Sequence, residues 1–585
     1  GYGVEQDVEK AVELYRKAND RGYVPAICAL GLCYELGRGV EENKGLAADL
    51  YLKAAERGYP RAQCNLGYFY YQGIHVKEDN EEAVKWFARA AGQGFPRAMQ
   101  LLGECYENGY GVEKDVEKAV ELYRQADAMD YAPATCALGV CYEYGDGVEK
   151  DPSHAVELYR KAAGQNYPRA QCNLGYCYYQ GIGVEENNEE AFRWFARAAE
   201  DDYPRAICLL AECYENGYGT KTDMEKAVEL YRRAHEQGYV PATCSLGLCY
   251  ELGTGVKEDR SKAVELYRQA ADRGHARSQC NLGFCYYRGI GVAENDDQAF
   301  RWFTKAAEQG YPRAIQLLGE CWEHGYGTDQ DIRKAAELYQ IAHERGSASA
   351  TCSLGLCYEL GQGVEEDKAR AVELYRQAAE RGLSRAQTNL GYCYYEGIGV
   401  EIDYDQAFQW FSRAAQDEDA RGLCMMGLCY ELGRGVMEDK TKAVEYYRRS
   451  AENGSVTAMC NLGYCYYTGI GVEENDEEAV KWFRKAAGRG FSRALFLLGE
   501  CYEEGYGVQA DLQKARGYYQ QAADKGYKNA QDAIARLSGV PKPSSAYTYI
   551  PPAPDGPTPP APPVPAPQPP KDKPKKGGLF GFFKK

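Results

Sequence analysis

The chain has 585 residues, and its 86 Asp and Glu against 69 Lys and Arg give a formal charge of -17 at neutral pH. The imbalance is uneven: residues 541–585 hold seven Lys and two Asp, a balance of +5, which leaves -22 on residues 1–540. An acidic body of that size repels a phosphate backbone and argues against nucleic acid as a partner, and no run of about eighteen apolar residues is present to span a membrane.

The chain opens at Gly1-Tyr2-Gly3-Val4, wording that further on belongs to the second half of a repeated unit. The N-terminus therefore reads as a fragment boundary, and a signal peptide upstream stays open. From there one phrase organises everything up to about residue 540. Gly31, in Ala29-Leu30-Gly31-Leu32-Cys33-Tyr34, recurs as Gly67, Gly103, Gly139, Gly175, Ala211, Gly247, Gly283, Gly319, Gly355, Gly391, Gly427, Gly463 and Gly499, always 36 residues on, with no insertion or deletion. A period of that length signals a solenoid of stacked supersecondary units, so about 540 residues form one elongated repeat domain rather than several globular ones.

Within a unit, Ala62, Leu66, Phe69 and Tyr70 fall at helical spacing, as do Ala83, Val84, Phe87 and Ala90, so each unit is two helices. The first ends at a Gly-x-Gly turn such as Gly109-Tyr110-Gly111, where glycine reaches positive φ without penalty. Twelve residues after the marker, every unit has Asp or Asn, from Asn43, Asp79 and Asp115 to Asp511, to cap the second helix at about 1 kcal/mol each against Ala. The second helix closes at Gly58, Gly94, Gly238 and equivalents, or at Asn166 and Asp130, which also tolerate the left-handed conformation. Pro60, Pro96, Pro168, Pro204 and Pro312 follow two residues later and open the next helix.

These residues resemble a known family. The pattern Ala-x-x-x-Leu-Gly-x-x-Tyr-x-x-Gly-x-Gly-Val, then Asp, then Lys-Ala-x-x-x-Tyr-x-x-Ala-Ala-x-x-Gly, is similar to the Sel1-like repeat, a relative of the tetratricopeptide repeat, over nearly all of residues 1–540. The resemblance implies an all-α fold, a right-handed α/α superhelix of helical hairpins. It covers fourteen marked units, a truncated unit before them and a closing helix near residues 528–537. It also implies an adaptor or scaffold that binds protein segments along a concave surface lined by the first helices. One branch of that family joins the two helices of a repeat by a disulfide; here Ala55, Ala91 and Ala163 stand where the second Cys would be.

The 23 cysteines all lie in first helices, often as pairs five apart such as Cys28 with Cys33 or Cys136 with Cys141. Five residues turn about 140° around a helix, so the paired thiols diverge and cannot bond to each other. They read as small buried hydrophobes in a reducing compartment, with a cytoplasmic location as the expectation; a secreted, disulfide-linked protein is the alternative. Six scattered His give no convergent ligand set for zinc; His75, His154, His235, His275, His324 and His343 read as unrelated surface substitutions.

A second period lies above the first. First helices run through three types in turn: Leu-Cys-Tyr-Glu-Leu, Tyr-Cys-Tyr-Tyr and Glu-Cys-Tyr-Glu-Asn. Trp86, Trp194, Trp302 and Trp410 mark the middle type every 108 residues, and Trp482 follows after only 72. A unit of the third type is therefore missing before Gly427. Positions two before, one after and four after the marker share a helix face, and they are expected to stand exposed on the binding surface. In the middle type they are Asn65, Tyr68, Tyr71; Asn173, Tyr176, Tyr179; Asn281, Phe284, Tyr287; Asn389, Tyr392, Tyr395; and Asn461, Tyr464, Tyr467. In the third type they include Glu104 with Glu107, Glu212 with Glu215, Glu320 with Glu323, and Glu500 with Glu503. Asn offers both hydrogen-bonding polarities to an extended peptide, Tyr rigid area with a polar tip, and Glu a partner for Lys or Arg, so a protein or peptide with basic or aromatic residues is the expected ligand. Packing between units is the competing use of the same residues.

Catalysis finds no support: the Glu pairs lack a nucleophile, a His partner or an enclosed pocket, and the Gly-x-Gly turns follow helices rather than strands. No enzyme activity, cofactor or metal is expected. Past Val540 the composition changes, with fifteen of the 24 prolines in residues 541–585. Residues 541–570 read as an extended, disordered linker. Residues 571–585 read as a basic and aromatic tail whose Phe580, Phe582, Phe583, Lys584 and Lys585 form an anchor. An anionic membrane surface, with the solenoid as spacer, a partner protein, and the chain's own acidic face compete as its target; a merely solubilising tail is the plain alternative.

Overall fold

The computed structural model describes residues 7–538, and among them are thirty α-helices and no strand. The Pro-rich linker and the tail residues Phe580, Phe582, Phe583, Lys584 and Lys585 lie outside the described residues. The chain divides into two compact units, Gly1–His275 and Ala276–Lys585. Each is a stack of helical hairpins in which every helix packs on its neighbours in sequence.

The punctuation read from the sequence is what shapes each hairpin. All fifteen second helices, from Val8–Asp20 to Leu512–Asp524, are capped by the Asp or Asn ahead of them, whose side chain accepts a hydrogen bond from the first-turn backbone. Pro60, Pro96, Pro168, Pro204 and Pro312 each open a first helix. The second glycine of each Gly-x-Gly turn does more than bend the chain. A Cβ on Gly111 would lie 2.1 Å from the carbonyl oxygen of Asn80, at the start of the preceding second helix, so this glycine lets the turn dock on the previous hairpin. The marker glycine serves the inside of the hairpin: a Cβ on Gly103 would lie 2.5 Å from the ring of Tyr123.

Between hairpins, the Tyr three residues after the marker receives a hydrogen bond from an Arg of the preceding second helix. Arg124 reaches Tyr142 at 2.9 Å, Arg376 reaches Tyr394 at 3.1 Å and Arg448 reaches Tyr466 at 2.8 Å. Tyr34 takes the same bond from Arg16 at 3.0 Å.

All 23 cysteines are free thiols, and every one but Cys33 is buried. Burial pushes the thiols up, Cys28 to about 11 and Cys64 to about 12, which suppresses the reactive thiolate. A colorimetric thiol reagent should therefore modify Cys33 first in the native chain and the rest only on unfolding. Rapid native reaction of most thiols, or thiols that appear only after reduction, would contradict this packing.

Two of the histidines differ from their sequence-based expectation. His235 and His343 stand one super-repeat apart, half-buried, and each ring Nδ1 lies 2.9 Å from a hydroxyl of the next hairpin, Thr243 and Thr351. Asp127 holds Thr135 at 2.6 Å in the same way one cycle earlier. They are links between hairpins, not isolated surface substitutions.

Candidate functional site

The first helices of successive hairpins touch one another, Pro96–Asn108 with Ala132–Tyr144 and Ser384–Glu396 with Ala420–Leu432, and so form a continuous face in each unit. The predicted positions line it, but they are far less exposed than expected. Asn65, Asn173, Asn389 and Asn461 are 3–8% exposed, Phe284 and Tyr395 are buried, and Asn281, Tyr68, Tyr71, Tyr176, Tyr179, Tyr287, Tyr392, Tyr464 and Tyr467 are half-buried.

The asparagines are occupied by an arginine that no sequence motif singled out, six residues before the marker of the following unit. Nη1 of Arg97 donates to Oδ1 of Asn65 at 3.2 Å, and Arg205 to Asn173 at 3.1 Å. Arg421 reaches Asn389 and Arg493 reaches Asn461, both at 3.4 Å. The other end of the amide is used too, since Nδ2 of Asn173 and of Asn389 each lies 3.7 Å from a thiol of the preceding first helix, Cys136 and Cys352. The same guanidinium covers the next position of the stripe: Arg97 lies 5.5 Å from the Tyr68 ring centre, Arg205 5.6 Å from Tyr176, Arg313 5.3 Å from Phe284 and Arg493 5.4 Å from Tyr464. A rung is thus an Arg clamped on Asn and an aromatic ring across two hairpins, and the Asn is a holder rather than a free contact.

The tyrosine at the end of each stripe pairs with the tyrosine in the turn of the following unit. Tyr71 meets Tyr110 at 6.0 Å, Tyr179 meets Tyr218 at 5.4 Å, Tyr287 meets Tyr326 at 5.3 Å and Tyr467 meets Tyr506 at 5.6 Å between ring centres. Where the third-type unit is missing, Arg434 replaces that turn tyrosine: it donates to the Tyr395 hydroxyl at 2.7 Å and lies over Tyr395 and Tyr404, 4.9 Å from each ring. One arginine repairs the gap in the super-repeat.

The carboxylates divide into two sets. Four residues after the marker, Glu107, Glu215, Glu323 and Glu503 each accept a hydrogen bond from a deeply buried tyrosine of their own hairpin, Tyr123, Tyr231, Tyr339 and Tyr519, at 2.5–2.9 Å. Glu35, Glu143, Glu251, Glu359 and Glu431 do the same for Tyr51, Tyr159, Tyr267, Tyr375 and Tyr447. In middle-type hairpins the carboxylate becomes Tyr and the buried partner becomes Phe, as in Tyr71 with Phe87, 6.4 Å between ring centres. This exchange of Glu with Tyr for Tyr with Phe is visible in the sequence and would have marked these glutamates as part of the hairpin.

The second set sits one residue after the marker. Glu320 is 6% exposed and Glu104 and Glu500 are half-buried. Gln100 and Gln316 donate to Glu104 and Glu320 at 2.5 and 3.0 Å. None of the three is within ion-pair distance of a cation among the described residues. Burial raises the Glu104 carboxyl above its ordinary range and pushes Glu320 and Glu500 up to about 7; Arg169, Arg385 and Arg536, respectively, pull the other way. Glu212, their equivalent, is half-buried with Cys208 Sγ at 4.0 Å.

A family model described as Sel1 repeat matches fifteen segments, from 1–23 and 24–59 through to 456–491 and 492–527, unbroken except at 127–131. No curated protein matches. Among solved structures, a protective antigen present in uropathogenic Escherichia coli strains and displaying an SLR fold is 30% identical, covering 86% of this chain and 99% of its own, with a TM-score of 0.47. A Sel1 repeat protein from Oxalobacter formigenes is 32% identical over 42% of this chain and 96% of its own, with a TM-score of 0.38. An immunity protein from Pseudomonas aeruginosa is 20% identical over 35% and 81%, with a TM-score of 0.28.

Proposed function

The chain belongs to the Sel1 repeat family, and on that premise we propose that it is a non-enzymatic scaffold whose first-helix face binds basic segments of other proteins. Sel1 and tetratricopeptide-like repeats generally mediate protein–protein interactions. The observation that carries the finer reading is the set of carboxylates Glu104, Glu320 and Glu500, held at least half out of water with no cation paired to them. A carboxylate in that state gains more from an incoming ammonium or guanidinium than one already solvated, because the desolvation cost is met in the free protein. The Arg-clamped rings and tyrosine pairs beside them add rigid apolar area at little entropic cost. The buried thiols support a reducing compartment, the cytoplasm, as the place where the scaffold works.

Selection of a randomised dodecapeptide display library on the immobilised full chain tests this. The retained peptides should be enriched in Lys and Arg, and their binding should fall at least tenfold in the chain carrying Glu104→Gln, Glu320→Gln and Glu500→Gln. Retention of acidic or purely apolar peptides, or affinity indifferent to the three substitutions, would sink the reading.

A further inference from the structure

We propose that the first-helix face of residues 276–538 is occupied, in the free protein, by the chain's own segment 571–585. This rests on the reading of that face as a receptor for basic peptide, and it names the first occupant. Segment 571–585 carries Lys571, Lys573, Lys575, Lys576, Lys584 and Lys585 against a single acid, Asp572, and three phenylalanines. The face carries what such a segment needs. Glu320 is 6% exposed, and both it and the half-buried Glu500 lack a paired cation. Beside them lie the tyrosine pairs Tyr287 with Tyr326 and Tyr467 with Tyr506, the last 40% exposed.

Arg536 shows the contact on a small scale: it follows the last complete hairpin and closes the face by donating to Glu503 at 2.6 Å. A cation supplied from further along the chain already serves the final unit. Reach is ample, since 32 residues, the number from 539 to 570, can span at most roughly 100 Å at about 3.1 Å per residue. Glu320 stands five hairpins before Glu500, roughly 50 Å away if each hairpin adds about 10 Å. At short range the attachment gives the segment an effective concentration on the order of millimolar, so an incoming basic peptide must displace it. The face is then autoinhibited, and its affinity for partners rises with any modification that removes charge from the tail lysines.

Carbodiimide cross-linking of the full chain, read by mass spectrometry, should join Lys571–Lys576 to Glu320, Glu323, Glu500 or Glu503 at low salt, and lose those links in high salt. Equal mixing of light and heavy isotope-labelled chains keeps the links within one chain; links found only between chains would overturn the proposal in favour of a contact between copies. Links only to second-helix carboxylates such as Glu477, or none, would also overturn it. A labelled synthetic peptide of residues 571–585 gives the second measurement. It should bind the full chain carrying Lys571→Glu, Lys573→Glu, Lys575→Glu and Lys576→Glu at least tenfold more tightly than the unaltered chain, and equal affinity would defeat the proposal. If library-selected basic peptides bind both chains equally, the tail proposal fails while the receptor reading stands; if they bind neither, both fail. Sedimentation of the unaltered chain with phosphatidylserine vesicles, without cross-links to the face, would assign the segment to a membrane surface instead.

Discussion

Tyr375→Phe, which deletes a single oxygen atom, is expected to destabilise its hairpin by about 2–3 kcal/mol. The hydroxyl donates to Glu359 at 2.6 Å, Tyr375 is wholly buried, and Glu359 is 6% exposed, so the substitution strands a carboxylate away from water. Adding Glu359→Tyr in the same chain should recover most of the loss, because that combination is the pair already present at Tyr395 and Phe411, whose rings lie 6.3 Å apart. Hydrogen exchange of the helices Ala348–Leu360 and Lys368–Glu380 reads the effect locally, which suits a stack whose hairpins open separately. A loss under about 0.5 kcal/mol in the single variant would mean that the bond contributes nothing and that Glu359 is free for ligands.

Glu320→Gln is expected to stabilise the chain, by an amount that grows from about pH 5 and levels off above about pH 7. The carboxyl sits near 7 because burial disfavours its charged form; Gln316, Arg385 and Arg313 pull it down and Glu323 pushes it up. A folded pKa above the unfolded value means that the folded chain binds the proton more tightly, so this contribution is fully present below about 4.5 and is lost as pH rises through about 7. Glutamine imitates the protonated acid and keeps an oxygen for Gln316. The variant should therefore match the unaltered chain closely near pH 5 and exceed it by about 3 kcal/mol at pH 8, because each tenfold difference in proton affinity between folded and unfolded chain is worth about 1.4 kcal/mol. Equal hydrogen-exchange protection of Pro312–His324 in both chains at pH 8 would show that Glu320 is already compensated, and would remove the main support for a cation-seeking face. Stability and binding oppose each other at this residue.

Much of the fold was legible because its determinants are local. The Asp and Asn caps, the prolines at helix starts and the paired glycines act within a few residues of themselves, and each does in the structure what its spacing implies. Asn166 and Asp130 do take positive φ where glycine usually stands. The face was legible as a location but not as a set of contacts. Asn65 and Arg97 are 32 residues apart, and neither reveals the other unless hairpins are compared across a unit boundary. The equivalence of His235 and His343 escaped for the same reason: the period that relates them is 108 residues, not 36.

The amino-acid order by itself determined the period, the two helices per unit, the three alternating types and the missing unit, since all of these are repetitions of short-range chemistry. Only the tertiary structure decided which side chains on the shared face are spent and which are left over. Burial depends on what the next hairpin lays against a side chain: Arg97 closes over Asn65 and Tyr68, Tyr123 claims Glu107, and Arg434 fills a place that the order of types leaves empty. Glu104, Glu320 and Glu500 stand one helical turn from Glu107, Glu323 and Glu503, which are fully engaged, and geometry alone leaves them without a cation.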